Sequence, residues 1–147
     1  QLDDGQILTE GPAIVQYLAD RRPDAKLAPP AGSFERVRLQ EWLNFITSEL
    51  HKGFSPLFDP AVPEAFKTMA KAKLAARFAW LDKHFATNQY LMGSQFTVAD
   101  AYAFTVIGWS SHVGIDLKPY PNLKAYLDRV AARPNVQAAL KAEGLVQ

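Results

Sequence analysis

Four side chains in the run SFERVRLQEWLNFITSELHKGF could meet one ligand: Asn44, Ser48, His51 and Lys52. At about 100° per residue from Leu39, the first three fall between about 120° and 180°, and Lys52 near 220°. Asn44 and His51 are then two turns apart along one line, so an amide, a hydroxyl, an imidazole and an ammonium share a face. A solvated helix face would look the same. A second group lies in LTEGPAI. The backbone N–H groups of Gly11, Ala13 and Ile14 leave a helix start, where a carboxylate or phosphate is favoured. Glu10 beside them repels an anion and attracts an ammonium. A ligand with both an α-amino and an α-carboxylate group satisfies both, although a solvated N-cap region is an equally simple reading.

Other chemistry finds less support. The chain has no cysteine, and its three histidines, His51, His84 and His112, are dispersed, so no metal site is expected. Its serines show no nucleophile elbow, and no GxxxxGK phosphate loop is present. Asp100 is expected to be structural. In SQFTVADAYAFTVIGW, Thr97 and Asp100 have the spacing of a capping box, with Asp in place of Glu or Gln.

The elements that must position these groups are mostly helices. Gln1-Leu2, Asp3-Asp4-Gly5 and Gln6 to Thr9 read as strand, tight turn, strand. Gly11-Pro12 reads as N-cap and first position of a helix that stops at Arg21-Arg22-Pro23. PDAKLAPPAGS has no periodicity and reads as a linker. Ser33 caps a long helix to about Gly53, with Trp42, Leu43, Ile46 and Leu50 near Leu39 as its apolar stripe. Pro63 opens a helix to about Thr87, Thr97 a third, and Pro121 and Pro134 two shorter ones. The third helix is apolar nearly all round, which places it in the middle of a bundle.

With 147 residues, 48% hydrophobic and 21% charged, the chain has the make-up of a folded globular protein. Its net charge of +1 has no basic cluster able to track a phosphate backbone, so nucleic acid is not an expected partner. Nor is a membrane, because no apolar run is long enough to span one. The absence of cysteine fits a cytoplasmic protein.

LDDGQILTEGPAIVQYLAD, the Pro-rich linker, EWLNFITSELHKGF, FTVADAYAFTVIGW and PNLKAYLDRVAARPNVQAAL occur in the order and spacing of a cytosolic glutathione transferase. Together they most resemble the bacterial beta class. The resemblance implies a mainly α fold: residues 1–23 as the end of a thioredoxin-like domain (hairpin plus helix), 24–32 as linker and 33–147 as an all-helical C-terminal domain. It also implies that the earlier part of the thioredoxin-like domain, with its sulfur-contacting residue, is missing. Glu10 and Gly11 match the pair that holds the γ-glutamyl end of glutathione. His51 and Lys52 resemble residues lining the cleft near the sulfur, and Asn44 one that reaches glutathione across a subunit interface. Trp109 resembles an aromatic bordering the hydrophobic substrate pocket, with a core role as the alternative.

The implied reaction is attack of the glutathione thiolate on a small hydrophobic electrophile, in a homodimer, with glutathione as co-substrate and no metal. A thiol with a pKa near 8.5 is only a few per cent ionised at pH 7. His51 and Lys52 are the groups here that could raise that fraction, and the chain alone is expected to be inactive or nearly so. The competing expectations are a non-catalytic interaction or dimerisation module of the same family, and a helical domain with no activity of its own.

Overall fold

The side-chain signals at helix starts act locally, and most of the expected helices form where those signals stand. In the computed structural model, which describes residues 1–146, the α-helices are α1 Gly11–Asp20, α2 Phe34–Phe45, α3 Lys52–Phe58, α4 Glu64–Phe85, α5 Val98–Gly108, α6 Pro121–Ala131 and α7 Pro134–Ala142. Ser33 Oγ accepts the Arg36 amide at 3.2 Å and so caps α2. At the start of α5 the Thr97 amide donates to Asp100 Oδ2 at 2.8 Å. Pro121 and Pro134 occupy the first turns of α6 and α7, where a missing N–H costs nothing.

Three expectations need correction. The hairpin at residues 1–9 keeps its turn but not its strands. Leu2 donates to the Gln6 carbonyl at 2.8 Å and Gly5, with φ 85°, to that of Leu2 at 2.9 Å, yet no strand occurs among the described residues. Two strands with no neighbours lack the packing that makes a ladder stable. The N-cap of α1 is Glu10, and Gly11 is already helical. The long helix does not run as a regular α-helix from Ser33 to Gly53. A π turn, Ile46–His51, joins α2 to α3, and helical backbone continues to Phe58. Residues 24–32 are irregular but tied down: Val98 donates to the Leu27 carbonyl at 2.9 Å, and buried Arg36 donates from Nε to the Pro29 carbonyl at 2.8 Å. The Arg36 guanidinium also clasps the Asp20 carboxylate with both terminal nitrogens, fastening the end of α1 to α2.

The core is built from one line of each long element. Leu39 and Leu43 on α2, Ile46 and Leu50 in the π turn and Phe54 on α3 face Leu74, Phe78, Leu81 and Phe85 of α4. Ala99, Ala103, Val106 and Ile107 of α5 are buried with them, and Tyr126 of α6 stacks on Phe85 at 3.9 Å between centroids. Burial of these side chains supplies about 1.5–3 kcal/mol each before the entropy of ordering them is subtracted.

Two carboxylates organise the joints of this core. Asp82 on α4 accepts the Asn122 and Leu123 amides at 2.7 and 2.9 Å, capping α6 from a different helix. Asp100 is fully buried and accepts from the Leu91 and Thr97 amides and from the Thr97 and Tyr126 hydroxyls. Burial pushes its carboxyl up, and those four donors partly offset the push. That environment makes Asp100 a structural acceptor.

Candidate functional site

Both expected clusters come close to the phenol end of Tyr102. At the start of α1, Glu10 has φ 67° and ψ 113°, a left-hand-side conformation that costs a residue with a Cβ of order 1–3 kcal/mol. Its carbonyl accepts the amides of both Ala13 and Ile14 at 3.0 Å, so those two N–H groups are already used and are not open to an anion. Gly11 is exposed, and as the first helical residue it has no carbonyl within the helix to receive its N–H. A Cβ built on Gly11 would lie 4.0 Å from Tyr102 Cζ, so α1 begins near this ring with room for a small side chain between them.

Also close to that phenol is His51, the last residue of the π turn. An i→i+5 turn is wider than an α turn and changes the phase of everything after it. The Lys52 amide reaches the Thr47 carbonyl, five residues back. His51 is thereby turned in toward α5, half-buried, with Nδ1 2.7 Å from the Tyr102 hydroxyl. Thr47 Oγ1 lies 3.4 Å from the same hydroxyl and donates its own proton to the Leu43 carbonyl at 2.9 Å. The edge of the His51 ring meets Trp109 at 4.9 Å between centroids and 82° between planes.

Trp109 continues this wall. Its ring also packs edge-on against Phe54 at 5.9 Å and Phe58 at 5.7 Å, and Phe58 is half exposed. Trp109 therefore joins the buried core at Phe54 to an accessible aromatic surface beside His51. Lys52 is exposed and forms no ion pair among the described residues. The result is a carboxylate and a helix start at Glu10-Gly11, an imidazole and an ammonium at residues 51 and 52, and an aromatic wall at Trp109 and Phe58.

Asn44 does not join them. It is exposed on α2, before the π turn, and the phase change removes the single line expected to carry Asn44 and His51 together. Tyr102 and Thr47 were not picked out from the sequence. Tyr102 lies on a helix whose sequence is apolar nearly all round, and the one available signal is its hydroxyl. A separate groove of about 570 Å³ lies beyond the end of α1, where Ala19, Pro29 and Met92 provide apolar walls and Asp20, Lys26 and Glu35 the charges. None of the expected site residues lines it.

Residues 45–134 match the family model described as "Glutathione S-transferase, C-terminal domain". The chain is 46% identical to glutathione S-transferase GstA of Escherichia coli O157:H7 over 98% of its own length and 72% of that protein. Among solved structures, a bacterial beta class glutathione S-transferase of Sphingomonas chungbukensis is similar, with a TM-score of 0.95 and 51% identity, over 99% of this chain and 72% of that one. A sphingomonad glutathione S-transferase complexed with glutathione matches over the same shares, with a TM-score of 0.94 and 48% identity. The turn-and-helix start at Glu10, the bundle behind it and these matches agree: the chain belongs to the glutathione S-transferase family.

Proposed function

We propose that this chain contributes to a beta-class glutathione transferase site in which glutathione lies across Tyr102. The observation that carries the reading is that Gly11 and His51 both come close to the phenol end of that one side chain. Glu10 receives the α-ammonium of the γ-glutamyl group, and the Gly11 N–H receives its carboxylate. The sulfur then lies toward His51 and Lys52, next to the wall made by Trp109 and Phe58. Relatives with Ser at the position of Gly11 add a hydroxyl to the same N–H, and the open contact distance here leaves room for either.

The chemistry follows from charge. Conjugation needs glutathione as its thiolate, and lowering a thiol pKa by about two units makes most of it ionised at neutral pH. An ammonium at Lys52 and an N–H at His51 stabilise the anion without taking part in bond formation. The thiolate carbon–sulfur bond forms as the electrophile's leaving group departs, and Trp109 and Phe58 accept the electrophile's apolar body. Asn44, facing away from this cleft, fits a role toward the glutathione of a second subunit. Exposed apolar side chains on α2 and α4, among them Val37, Met69 and Trp80, support the homodimer that this role requires. No helix among the described residues is long and apolar enough to cross a membrane, and a cytoplasmic location accords with the cysteine-free composition.

The test is backbone amide chemical-shift mapping during titration with glutathione. Shifts gathered at Gly11, His51, Lys52 and Tyr102, and lost in Glu10→Ala, are the expected result. No shifts, or shifts confined to the groove beyond α1, would overturn the reading.

A further inference from the structure

We propose that Tyr102 is a positioning residue that fixes the tautomer of His51, holding the proton of the neutral ring on Nε2 so that the ring offers the sulfur a donor. The identity of the sulfur partner rests on the glutathione reading above; the tautomer does not. The phenol has one proton and two neighbours that can accept it, His51 Nδ1 at 2.7 Å and Thr47 Oγ1 at 3.4 Å. Thr47 cannot donate to the phenol, because its proton is spent on the Leu43 carbonyl. The two neighbours therefore compete as acceptors for the same proton. Distance favours Nδ1: 2.7 Å is ordinary for a strong bond, whereas 3.4 Å is beyond the usual O–H···O range. Basicity favours it as well, since an imidazole nitrogen binds protons far more readily than an alcohol oxygen.

With Nδ1 accepting, the neutral ring must carry its hydrogen on Nε2. The ring is also held in orientation. Its edge is against Trp109, its plane stands at 68° to that of Tyr102, and a half-turn about its bond to the chain would carry Nδ1 away from the phenol. A histidine fixed this way cannot use Nε2 as the base that removes the thiol proton. Its N–H can only stabilise a thiolate once formed, which makes donation, not proton abstraction, the contribution of His51.

Nitrogen-15 spectra of the imidazole rings in the full chain at alkaline pH decide the matter, with His51 identified by the signals lost in His51→Gln. The expected result is one dominant tautomer with hydrogen on Nε2 and two well-separated nitrogen signals. In Tyr102→Phe, which keeps the ring and its packing, the two signals should move toward each other as both tautomers become populated. In Thr47→Val they should stay where they are. Hydrogen on Nδ1 in the unmodified chain, unmoved signals in Tyr102→Phe, or equal averaging in Thr47→Val would overturn the assignment. Adding glutathione is a separate arm: loss of any response there counts against the glutathione reading, while the tautomer has been decided without it.

Discussion

Glu10 illustrates how a single residue can set ligand affinity against stability. Its backbone sits at φ 67°, a conformation that glycine adopts without penalty. Glu10→Gly should therefore raise stability by about 1 kcal/mol, read as a higher denaturant midpoint. In the proposed binding mode the same substitution removes the partner of the ligand's ammonium, worth about 1.5–3 kcal/mol, or roughly 10- to 150-fold in glutathione affinity by titration. A variant that gains stability and keeps affinity would show that the strain serves something other than this ligand. Asp100 lies at the other extreme, with every contact internal. Asp100→Asn turns one carboxylate oxygen into a donor facing either the Leu91 or the Thr97 amide. The expected loss is about 2–4 kcal/mol in urea denaturation.

At the scale of elements, what could be read from the sequence is what is decided locally. Ser33, Thr97 with Asp100, and the prolines at 121 and 134 mark helix starts because a cap or a fixed φ acts within one turn. The π turn had no such mark: ITSELH is as compatible with α as with π geometry, and the choice falls to the packing of Ile46 and Leu50 between α4 and α5. Because that phase was invisible, Asn44 was grouped with His51 and Tyr102 was overlooked. Long-range caps were equally hidden. Asp82 serves amides 40 and 41 residues away, and no spacing rule links them. Asp82→Ala should cost about 1–2 kcal/mol in thermal unfolding and speed amide exchange in the first turn of α6. Exchange unchanged there would mean that Pro121 and packing suffice to start that helix.

Across the whole molecule, the ion pairs that bind one helix to another give the fold a particular response to acid. Glu49 of the π turn is held to α4 by Arg77, at 2.7 and 2.8 Å, and by Lys73 at 3.6 Å. The hydrogen bond from Arg77 lowers the Glu49 carboxyl below its ordinary 4.5, and that from Arg36 lowers Asp20 below its ordinary 3.8. Groups lowered on folding stabilise the fold above their ordinary values, and that contribution is lost as pH falls through the lowered ones. Asp100 has the opposite sign. Its raised carboxyl costs stability as pH climbs from 3.8 through the raised value, so protonating it relieves the fold while Asp20 and Glu49 weaken it. In denaturation measured against pH, Arg77→Met should lie below the unmodified chain at neutral pH, and the gap should close as pH falls below about 4. A gap that persists in acid would assign the loss to the Arg77 stem and not to its charge. The π turn also matters for inheritance. Loss of one codon within residues 46–51 would let the turn close as an ordinary α turn, and because an i→i+5 turn takes up one more residue than an i→i+4 turn, the side chains before and after it would keep their faces. Such a descendant would keep the shape of the bundle while side chains inside the turn changed places, so duplicated copies of this chain can part company in the chemistry beside Tyr102 long before they part company in shape.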